Sequence, residues 1–363
     1  MKENEVIDML RESFPESGLG DDAAVIPPRT GDILLAADAV VEGVHYLSSL
    51  STISQAVQKV ISSNVSDIYA MGGNPVSILL TAAVPPGAGR DELEGIIKGL
   101  QAGCRYYGIE LSGGDTTGGN QFVFSIAIMG EVNHGCAVTR SGAAPGNMIA
   151  LTGSCGGSAG GLLLLRGLRE GVSRAYPLEV LLPEEEEKRS VISNFVSRLD
   201  IFTGREDIDK FCGKHQLDEN AAGAIEMIKR HLVPAAARVK REDLERAGIR
   251  VTSMIDVSDG LGKDLCSICT ESETGAEIDE RSLPVPDHFA DIHDDRAAEV
   301  LDLALSSGEE YQQIVTLDIE DGSSIPEWLV PVGQVTDSPG RVILRQRDGS
   351  SRDIGRLGYE HTF

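Results

Sequence analysis

The chain has 363 residues, 41% of them hydrophobic and 25% charged, and this length predicts about two domains that each bury a hydrophobic core. Its formal net charge is −25 and it contains no cluster of Lys and Arg, which argues against a nucleic-acid partner because phosphate backbones are bound by clustered basic side chains. An anionic substrate would therefore need metal ions or a few placed basic residues.

The charged N-terminus lacks the apolar segment of a signal peptide, and no apolar run is long enough to span a membrane. Six cysteines are spread along the chain without a disulfide-like framework, which is typical of a reducing compartment. We therefore expect a cytoplasmic protein without a membrane partner.

The first half begins with a predicted helix near residues 4 to 13, followed by an acidic turn at Gly20-Asp21-Asp22 and a strand that ends at Asp38. A long helix near residues 54 to 71 comes next. The other predicted elements of this half are strands near residues 76 to 84, 109 to 111 and 122 to 132 and a helix near residues 90 to 107.

The long helix carries Lys59, Asn64 and Asp67 among mostly apolar residues. Asn64 and Asp67 are three residues apart and therefore share a face of the helix. A stripe that faces solvent would not be flanked by so many apolar residues, so we expect most of this helix to be buried. A buried carboxylate needs a partner, and a metal ion is a natural one.

Proline and glycine between Ala143 and Asn147 mark a predicted domain boundary, which divides residues 1–142 from residues 143–363. After it, strand, glycine-rich turn and helix recur. Strands are predicted near residues 148 to 152, 251 to 255, 276 to 279, 311 to 317 and 329 to 335. The segment 166–222 interrupts this regularity as an insertion. Both halves are predicted to belong to the α+β class.

Three motifs of the second half favour structural interpretations. Cys266 and Cys269 form a C-x-x-C motif inside a helical pattern without a second cysteine pair, which favours helix packing over a zinc or redox site. Pro183 and the glutamates after it predict a solvent-facing helix start, because proline and acids suit the first turn. Residues 287 to 295 have metal-like residue types, but their Pro-bounded polar context favours a surface loop or the start of a helix.

Short acidic motifs beside glycine or another small residue recur along the chain: Gly20-Asp21-Asp22, Asp38, Asn64-Val65-Ser66-Asp67, Gly113-Gly114-Asp115, Asp256 and Asp259. Any one of them alone is compatible with an ordinary turn. Short apolar runs next to several of them predict strands, so that the carboxylates would lie at strand ends, where α/β proteins bind ligands. Several carboxylates with small neighbours are typical of a site for Mg²⁺ and phosphate oxygens, which indicates polyphosphate chemistry.

Two segments are candidates for binding phosphate. Ser258 and Asp259 follow Asp256 at a predicted strand-to-helix turn, which would offer a helix N-terminus to phosphate and a carboxylate to metal. The glycine-rich stretch from Gly153 to Gly161 is equally compatible with a phosphate cradle and with a glycine-packed start of a helix. No G-x-x-x-x-G-K-[ST] sequence occurs, which excludes an ordinary P-loop NTPase.

Motifs spread in order over nearly the whole chain are Gly-Asp21-Asp22-Ala-Ala-Val, Asp38-Ala-Val-Val-Glu-Gly-Val-His45-Tyr, Asn64-Val-Ser-Asp67-Ile-Tyr-Ala-Met-Gly-Gly, Gly-Gly-Asp115-Thr-Thr, Arg140-Ser-Gly-Ala-Ala-Pro-Gly, Asp256-Val-Ser-Asp259-Gly-Leu and Gly358-Tyr-Glu-His. They resemble the motifs of the thiamine-monophosphate kinases. This family belongs to the superfamily of aminoimidazole ribonucleotide synthetase, selenophosphate synthetase and the hydrogenase-maturation carbamoyl dehydratase. Val-Glu-Gly-Val-His-Tyr and Gly-Tyr-Glu-His resemble the kinase specifically.

The resemblance implies Mg²⁺-dependent, in-line transfer of the γ-phosphoryl group of ATP to the phosphate of thiamine monophosphate, which gives thiamine diphosphate. Because both reactants are anions, the physical demand is charge neutralisation and positioning rather than a strong base. It also implies a two-domain, aminoimidazole ribonucleotide synthetase-like α+β fold (an α/β sandwich). A homodimer would follow, with N-terminal sheets that pair into a barrel and ATP bound near that interface.

The resemblance also implies roles for individual residues. The metal ligands would be Asp22, Asp38, Asp67, Asp115, Asp256 and Asp259, with Asp67 and Asp259 catalytic. The ATP contacts would be Gly114, Asp115, Arg140 and Ser258. The thiamine-phosphate contacts would be His45, Glu309 and Tyr359, with Tyr359 able to stack on an aromatic ring. Considered alone, His45 is also compatible with a hydrogen-bonded core histidine.

Some positions depart from the family pattern. Ala36 and Ala37 stand where the family usually has Ser or Thr, so only backbone carbonyls remain as ligands there and the number of Mg²⁺ ions stays open. Further departures lie at residues 231–238, at residues 306–311 and in the long segment 166–222. They concentrate in the second half of the chain and leave the identity of the phosphate acceptor open.

Two other functions therefore stay open: a related enzyme with another phosphorylated acceptor, and a non-catalytic nucleotide-binding regulator. Selenophosphate synthetase is disfavoured because no cysteine precedes Cys104, and the dehydratase because the chain ends His361-Thr-Phe.

Overall fold

The structure is a computed structural model that describes residues 9–15, 23, 26, 29–169, 178, 181–289 and 297–360. The strands of this part of the chain form two sheets, one with four strands and one with seven. The first sheet precedes the predicted boundary at residue 143 and the second follows it. The division into two domains at that point stays a prediction.

The four-stranded sheet has the order β1-β4-β2-β3. Its strands are β1 (Asp32–Val41), β2 (Asn74–Val84), β3 (Glu110–Gly118) and β4 (Val123–Val132). The strands β2 and β3 are parallel, and the other neighbours are antiparallel. Two helices, α1 (Ile53–Ala70) and α2 (Arg90–Tyr107), pack on one face of the sheet around a core that includes Phe124 and Ile126. The opposite face exposes the side chains of Ile33, Leu35 and Leu79.

The helix α1 is buried along most of its length. It begins after Thr52, whose hydroxyl accepts a hydrogen bond from the N–H of Gln55 while the Gln55 side chain accepts one from the N–H of Thr52. This reciprocal cap pairs two N–H groups that a helix start otherwise leaves unpaired. The bounds of α1 and α2 confirm two of the three helices predicted for this half, those near residues 54 to 71 and 90 to 107.

The seven-stranded sheet has the order β11-β10-β7-β9-β5-β8-β6. Its strands are β5 (Met148–Leu151), β6 (Ile249–Asp256), β7 (Gly275–Asp279), β8 (Gln313–Ile319), β9 (Val330–Thr336), β10 (Val342–Arg345) and β11 (Ser351–Asp353). The helices of this half are α3 (Gly157–Arg169), α4 (Glu186–Val196), α5 (Arg205–His215), α6 (Glu219–Leu232), α7 (Arg241–Arg246), α8 (Leu261–Glu271) and α9 (Ala297–Ser306). The predicted strands are confirmed with small shifts, whereas β10 and β11 were not predicted because they are short and partly polar.

The insertion predicted at residues 166–222 packs against α1. Its helices share a hydrophobic core with α3 and α6. The side-chain amide of Gln55 donates hydrogen bonds to the carbonyl oxygens of Val196 and Leu199, and the Gln58 side chain accepts one from the N–H of Ile201. The insertion therefore packs on and stabilises the helix that carries Asp67.

Two predictions about strand ends are wrong. Asp38 and Asp115 lie inside β1 and β3, where they pair with Ile126 of β4 and Thr81 of β2. The glycines before Asp115 do not end the strand, because pairing with β2 continues through them to Gly118. Such pairing depends on a neighbouring strand that is distant in sequence, so the local pattern does not report it.

Other predictions of local structure are confirmed in part. Residues 9–13 are helical, and the rest of the predicted N-terminal helix and the turn at Asp21-Asp22 lie outside the described residues. The helix α4 begins at Glu186 rather than at Pro183, and residues 184–187 are exposed as predicted. Residues 287–289 form a single 3₁₀ turn, and residues 290–295 lie outside the described part.

Candidate functional site

Four aspartates from three segments meet beside α1, and we refer to Asp38, Asp67, Asp256 and Asp259 as the carboxylate group. Asp38 comes from β1, Asp67 from α1, Asp256 from the end of β6 and Asp259 from the turn before α8. Their charges interact: in addition to burial, which is the largest cause in both cases, the Asp256 and Asp38 carboxylates raise the pKa of Asp67 and the Asp259 carboxylate raises the pKa of Asp38. The structure thus brings together four of the six predicted metal ligands.

Burial and like charge both shift the titration of this group. Burial is the larger cause that raises the pKa of Asp67 to about 8, followed by the charges of Asp256 and Asp38. Burial likewise raises the pKa of Asp256 to about 6, although a hydrogen bond from Ser66 opposes the rise. Carboxylates forced close together in this way bind protons or cations more tightly than isolated ones.

The helix α1 fixes two of these aspartates through neutral side chains. The Ser66 hydroxyl donates to Asp256 Oδ2 over 2.7 Å and so links α1 to β6. The Asn64 side chain accepts a hydrogen bond from the N–H of Asp38 at 3.1 Å and donates one to the carbonyl of Val60 at 2.7 Å. Asn64 therefore holds the free edge of β1 against α1.

Burial raises the pKa of Asp67 and of Asp256, and the charge of Arg140 opposes both rises. The Arg140 side chain is exposed. A guanidinium next to acidic groups and open to solvent is suited to bind phosphate oxygens.

Asp115 does not join the carboxylate group within one chain. It lies on β3, three strands away from β1, which corresponds to a separation of about 14 Å at the usual strand spacing. Asp115 pairs with Thr81 of β2, which in turn pairs with Ser125 of β4. Asp38 instead pairs with Ile126, the next residue of β4. Successive residues of β4 project to opposite faces, so Asp115 and Asp38 also lie on opposite faces of the sheet.

Gly114 has a packing reason to be glycine. A Cβ atom built on it would lie 1.9 Å from the carbonyl oxygen of Leu80 on the neighbouring strand. Its predicted contact with ATP stays a prediction. Asp22, the sixth predicted metal ligand, lies outside the described residues.

The N–H groups of the turn before α8 donate hydrogen bonds to a carboxylate of the same chain. Asp264 accepts hydrogen bonds from the N–H groups of Ser258, Asp259 and Gly260 at 2.9, 3.0 and 3.0 Å. Burial is the main cause that raises the pKa of Asp264 to about 7. The prediction that this helix N-terminus offers its N–H groups to phosphate is therefore wrong, because Asp264 already accepts from them.

Backbone N–H groups of the glycine-rich stretch likewise donate to an acidic side chain. The buried carboxylate of Glu310 accepts hydrogen bonds from the N–H groups of Gly156 and Ser158, both at 2.9 Å, and from the Ser307 hydroxyl at 2.5 Å. A Cβ atom on Gly161 would lie 2.0 Å from the carbonyl oxygen of Met227. These contacts favour the glycine-packed helix start over the phosphate cradle.

The predicted acceptor contacts lie close to one another. The Lys59 ammonium donates to Glu309 Oε2 at 2.7 Å and to the carbonyl oxygen of His45 at 3.5 Å. The N–H of Glu309 donates to the carbonyl of Ser258, and the N–H of Tyr359 donates to the carbonyl of Asp259, each at 2.8 Å. The acceptor candidates therefore border the same turn that carries Asp259.

Two side chains in this region have defined partners. The N–H of Val41 donates to Nδ1 of His45 at 3.1 Å, so a neutral imidazole here carries its proton on Nε2. Lys263 pairs with Asp259 at 2.8 Å and donates to the carbonyl oxygen of Tyr359 at 2.6 Å. Lys263 thereby joins the C-terminal segment to the carboxylate group.

Sequence patterns indicated Asn64 but not the positioning residues Ser66, Asp264, Glu310 and Lys263. An acid in the first turn of a predicted helix is a general signal for Asp264. The other contacts join residues far apart in sequence, and only the folded chain brings them together.

The carboxylate group fits Mg²⁺ in chemistry rather than as a preformed cage. Within the described residues, no three His, Cys, Asp or Glu side chains converge on a point that could hold a metal ion. The donors are all oxygen, and a divalent cation would relieve their mutual repulsion. Mg²⁺ commonly keeps several waters and binds through one or two carboxylates and the phosphates of the substrate, so the site needs no closed protein cage.

Comparisons with known proteins agree over almost the whole chain. The family profile "AIR synthase related protein, N-terminal domain" matches residues 20–132. The thiamine-monophosphate kinase of Escherichia coli (strain K12) is 31% identical over 357 residues, which cover 95% of this chain and 92% of that protein.

Solved structures give the same result for the fold. The thiamine-monophosphate kinase from Stenotrophomonas maltophilia K279a has a TM-score of 0.71 at 25% identity and covers 97% of this chain and 98% of its own. A structure of AaThiL complexed with AMPPCP and TMP has a TM-score of 0.67 at 24% identity and covers 100% of this chain and 99% of its own. These matches confirm the predicted aminoimidazole ribonucleotide synthetase-like fold of mixed α and β structure.

Proposed function

Because the chain belongs to the thiamine-monophosphate kinase family, we propose that it transfers the γ-phosphoryl group of ATP to the phosphate of thiamine monophosphate and forms thiamine diphosphate. The observation that carries this proposal is the carboxylate group, in which burial and the neighbouring carboxylates raise the pKa of Asp67 and of Asp38, on a chain that matches the kinase over 95% of its length. Arg140 adds a cation at the exposed side of that group.

Charge is the main obstacle in this reaction, because the donor and the acceptor are both phosphates. Bound at the carboxylate group, Mg²⁺ would neutralise phosphate charge and hold the two phosphates in line. Asp38, Asp67, Asp256 and Asp259 would hold the metal, with Asp67 and Asp259 closest to the transfer. Asp22 and Asp115 are the further candidate ligands. Ala36 and Ala37 offer only backbone carbonyls, so the number of ions stays open.

The substrates would approach this group from two sides. Arg140 would bind phosphate oxygens of ATP, and we assign Gly114, Asp115 and the Ser258 hydroxyl to the same nucleotide. His45, Glu309 and Tyr359 would bind thiamine monophosphate. The Tyr359 ring is about half exposed, and we assign it to stacking on the acceptor's aromatic rings.

A homodimer would bring Asp115 close to β1 of a second copy. Within the described part of the chain, β1 and β3 are the edge strands of a sheet whose open face carries exposed Leu35 and Leu79. If β3 of one chain pairs with β1 of a second copy, Asp115 lies about one strand spacing from that copy's β1, rather than three, on the sheet face opposite to Asp38. Pairing both edges in this way would close the two sheets into the barrel that the family resemblance implies.

The experiment is a turnover assay with ATP, Mg²⁺ and thiamine monophosphate, with thiamine diphosphate separated and quantified by chromatography. Asp67→Asn should keep the fold, because the side chain keeps its shape, and should lower kcat at least about a hundredfold, because an amide does not bridge cations as a carboxylate does. Activity within about tenfold of the wild type would contradict the assignment of Asp67. Among the described residues, no helix is long and apolar enough to cross a membrane, and a cytoplasmic location stays a prediction.

A further inference from the structure

Lys59 is a charged side chain in the interior, with only 2% of its surface exposed. Its ammonium donates to Glu309 Oε2 at 2.7 Å and to the carbonyl oxygen of His45 at 3.5 Å. We propose that Lys59 is a positioning residue that sets the acceptor site by holding the Glu309 carboxylate and the His45 loop together. This inference rests on the proposed function, in which Glu309 and His45 bind thiamine monophosphate.

The ion pair joins parts of the chain that are far apart in sequence. Lys59 lies on α1, which packs on the four-stranded sheet, whereas Glu309 lies between α9 and β8 in the second half of the chain. His45 lies in the turn that follows β1. One ammonium therefore contacts the segments that carry two of the three proposed acceptor contacts.

Lys59 has few alternatives inside the protein. Among the described residues, Glu309 is the carboxylate with which it forms an ion pair. Burial keeps the nearby His231 neutral, and the positive charge of Lys59 lowers the pKa of His231 further. A buried ammonium requires a charged or strongly polar partner, so the geometry of Glu309 and that of Lys59 depend on each other.

The backbone at Glu309 does not by itself fix the side chain. Glu309 has a φ of 56° and Tyr311 one of 49°, which are left-handed conformations that residues with a side chain seldom adopt. Such conformations persist where the surroundings impose them, and they occur often at binding sites. Here the carbonyls of Val257 and Ser258 hold the backbone, and Lys59 holds the carboxylate.

The arrangement leaves Glu309 suited to bind a ligand. About 25% of its side chain is exposed although Oε2 is directed at Lys59. A carboxylate held from behind by a lysine presents its remaining acceptor capacity in a fixed direction, which suits the amino group and the positive charge of a thiamine phosphate. Lys59 lies eight residues before Asp67, about 12 Å along the axis of α1, so its position is apart from the carboxylate group.

The test compares steady-state kinetics of the wild type with Lys59→Met, Glu309→Gln and the double variant Lys59→Met/Glu309→Gln. Lys59→Met should raise the KM for thiamine monophosphate about 10- to 100-fold and change the KM for ATP less than about 3-fold. The double variant should bind the acceptor no worse than Glu309→Gln alone, because the two residues act through one contact. It also leaves no unpaired buried charge, so it should fold even if Lys59→Met does not.

Lys98 supplies the matched control, because it is an exposed lysine on α2. Lys98→Met should leave both KM values unchanged. If Lys59→Met lowers kcat or thermal stability while the KM for thiamine monophosphate stays at the wild-type value, Lys59 is only structural and the inference is overturned. Additive effects of Lys59→Met and Glu309→Gln on that KM overturn it as well. A wild-type chain that fails to turn over thiamine monophosphate contradicts the proposed function itself, and the inference with it.

Discussion

Asp67 lies on α1 with its carboxyl partly buried beside Asp38 and Asp256, and these neighbours together with burial raise its pKa to about 8. In an unfolded chain the same carboxyl titrates near 3.8. Between these values the folded protein binds a proton that the unfolded chain does not. The contribution of Asp67 to the free energy of unfolding therefore falls as pH rises from about 4 to about 8.

This linkage gives a prediction for metal-free protein in the presence of a chelator. Asp67→Asn should be more stable than the wild type, and the difference should grow from near zero at pH 4 towards pH 8, because the amide carries no charge at any pH. One pKa unit corresponds to about 1.4 kcal/mol, and since Asp67 is partly exposed we expect about 1 to 3 kcal/mol at pH 8.

Urea unfolding of both proteins across this pH range measures that difference. The comparison cancels groups shared by the two proteins, such as the buried His231, whose lowered pKa acts in the opposite direction. Addition of Mg²⁺ should stabilise the wild type more at pH 8 than at pH 6, because deprotonated carboxylates bind the ion. A stability difference that is constant with pH would mean that Asp67 is not the titrating group.

His45 and Arg140 should separate the two substrates. His45→Ala should weaken binding of thiamine monophosphate about 10- to 100-fold, which corresponds to the loss of one or two hydrogen bonds, and should leave ATP binding unchanged. Arg140→Ala should do the reverse, because its guanidinium lies beside the carboxylate group. Calorimetric titration of each ligand into each variant measures both effects. Loss of ATP binding in His45→Ala would refute the assignment of His45 to thiamine monophosphate and of Arg140 to ATP.

At the level of elements, two helix starts in the second half of the chain are closed by internal acids. Glu310 accepts from N–H groups at the start of α3, and Asp264 accepts from those before α8. Helix N-termini attract negative charge, and here the chain supplies it. Phosphate binding would therefore depend on metal ions, Arg140 and exposed hydroxyls rather than on these N–H groups.

The cap at α8 is testable by mutation. Asp264→Ala removes the acceptor of three N–H hydrogen bonds, so the free energy of unfolding should fall by about 1 to 3 kcal/mol and ATP binding should weaken as the turn with Ser258 and Asp259 loosens. The control is Asp91→Ala, which removes an exposed acid from the first turn of α2 and should cost less than about 1 kcal/mol. Chemical denaturation measures both, and equal losses would show that the three hydrogen bonds contribute little.

Local patterns in the sequence predicted elements better than the contacts between them. The bounds of α1 and α2 followed from apolar periodicity, and the gathering of Asp38, Asp67, Asp256 and Asp259 followed from the family resemblance. The position of Asp115 inside β3 did not, because it depends on pairing with β2. The partners of Asp264 and Glu310 were also missed, since an acid that caps a turn and one that binds a ligand look alike in sequence.

At the level of the whole molecule, α1 connects every part of the site. Ser66 links it to Asp256 of the second sheet, Lys59 links it to Glu309, and Gln55 links it to the inserted helices. A displacement of α1 would therefore move metal ligands and acceptor contacts together.

The open face of the four-stranded sheet provides the last prediction. Leu35 is 77% exposed there, beside two free strand edges, which is an arrangement that monomeric proteins usually avoid. If the face joins a second copy and Asp115 completes the partner's site, Leu35→Asp should raise the dimer dissociation constant at least about tenfold and lower activity in parallel. Lys98→Asp is the control, because Lys98 is exposed on α2, which packs on the other face of the sheet. Light scattering after size exclusion, together with activity over a dilution series, measures both effects. A fully active wild-type monomer would show that Asp115 is not needed in trans, and the carboxylate group would then suffice within one chain.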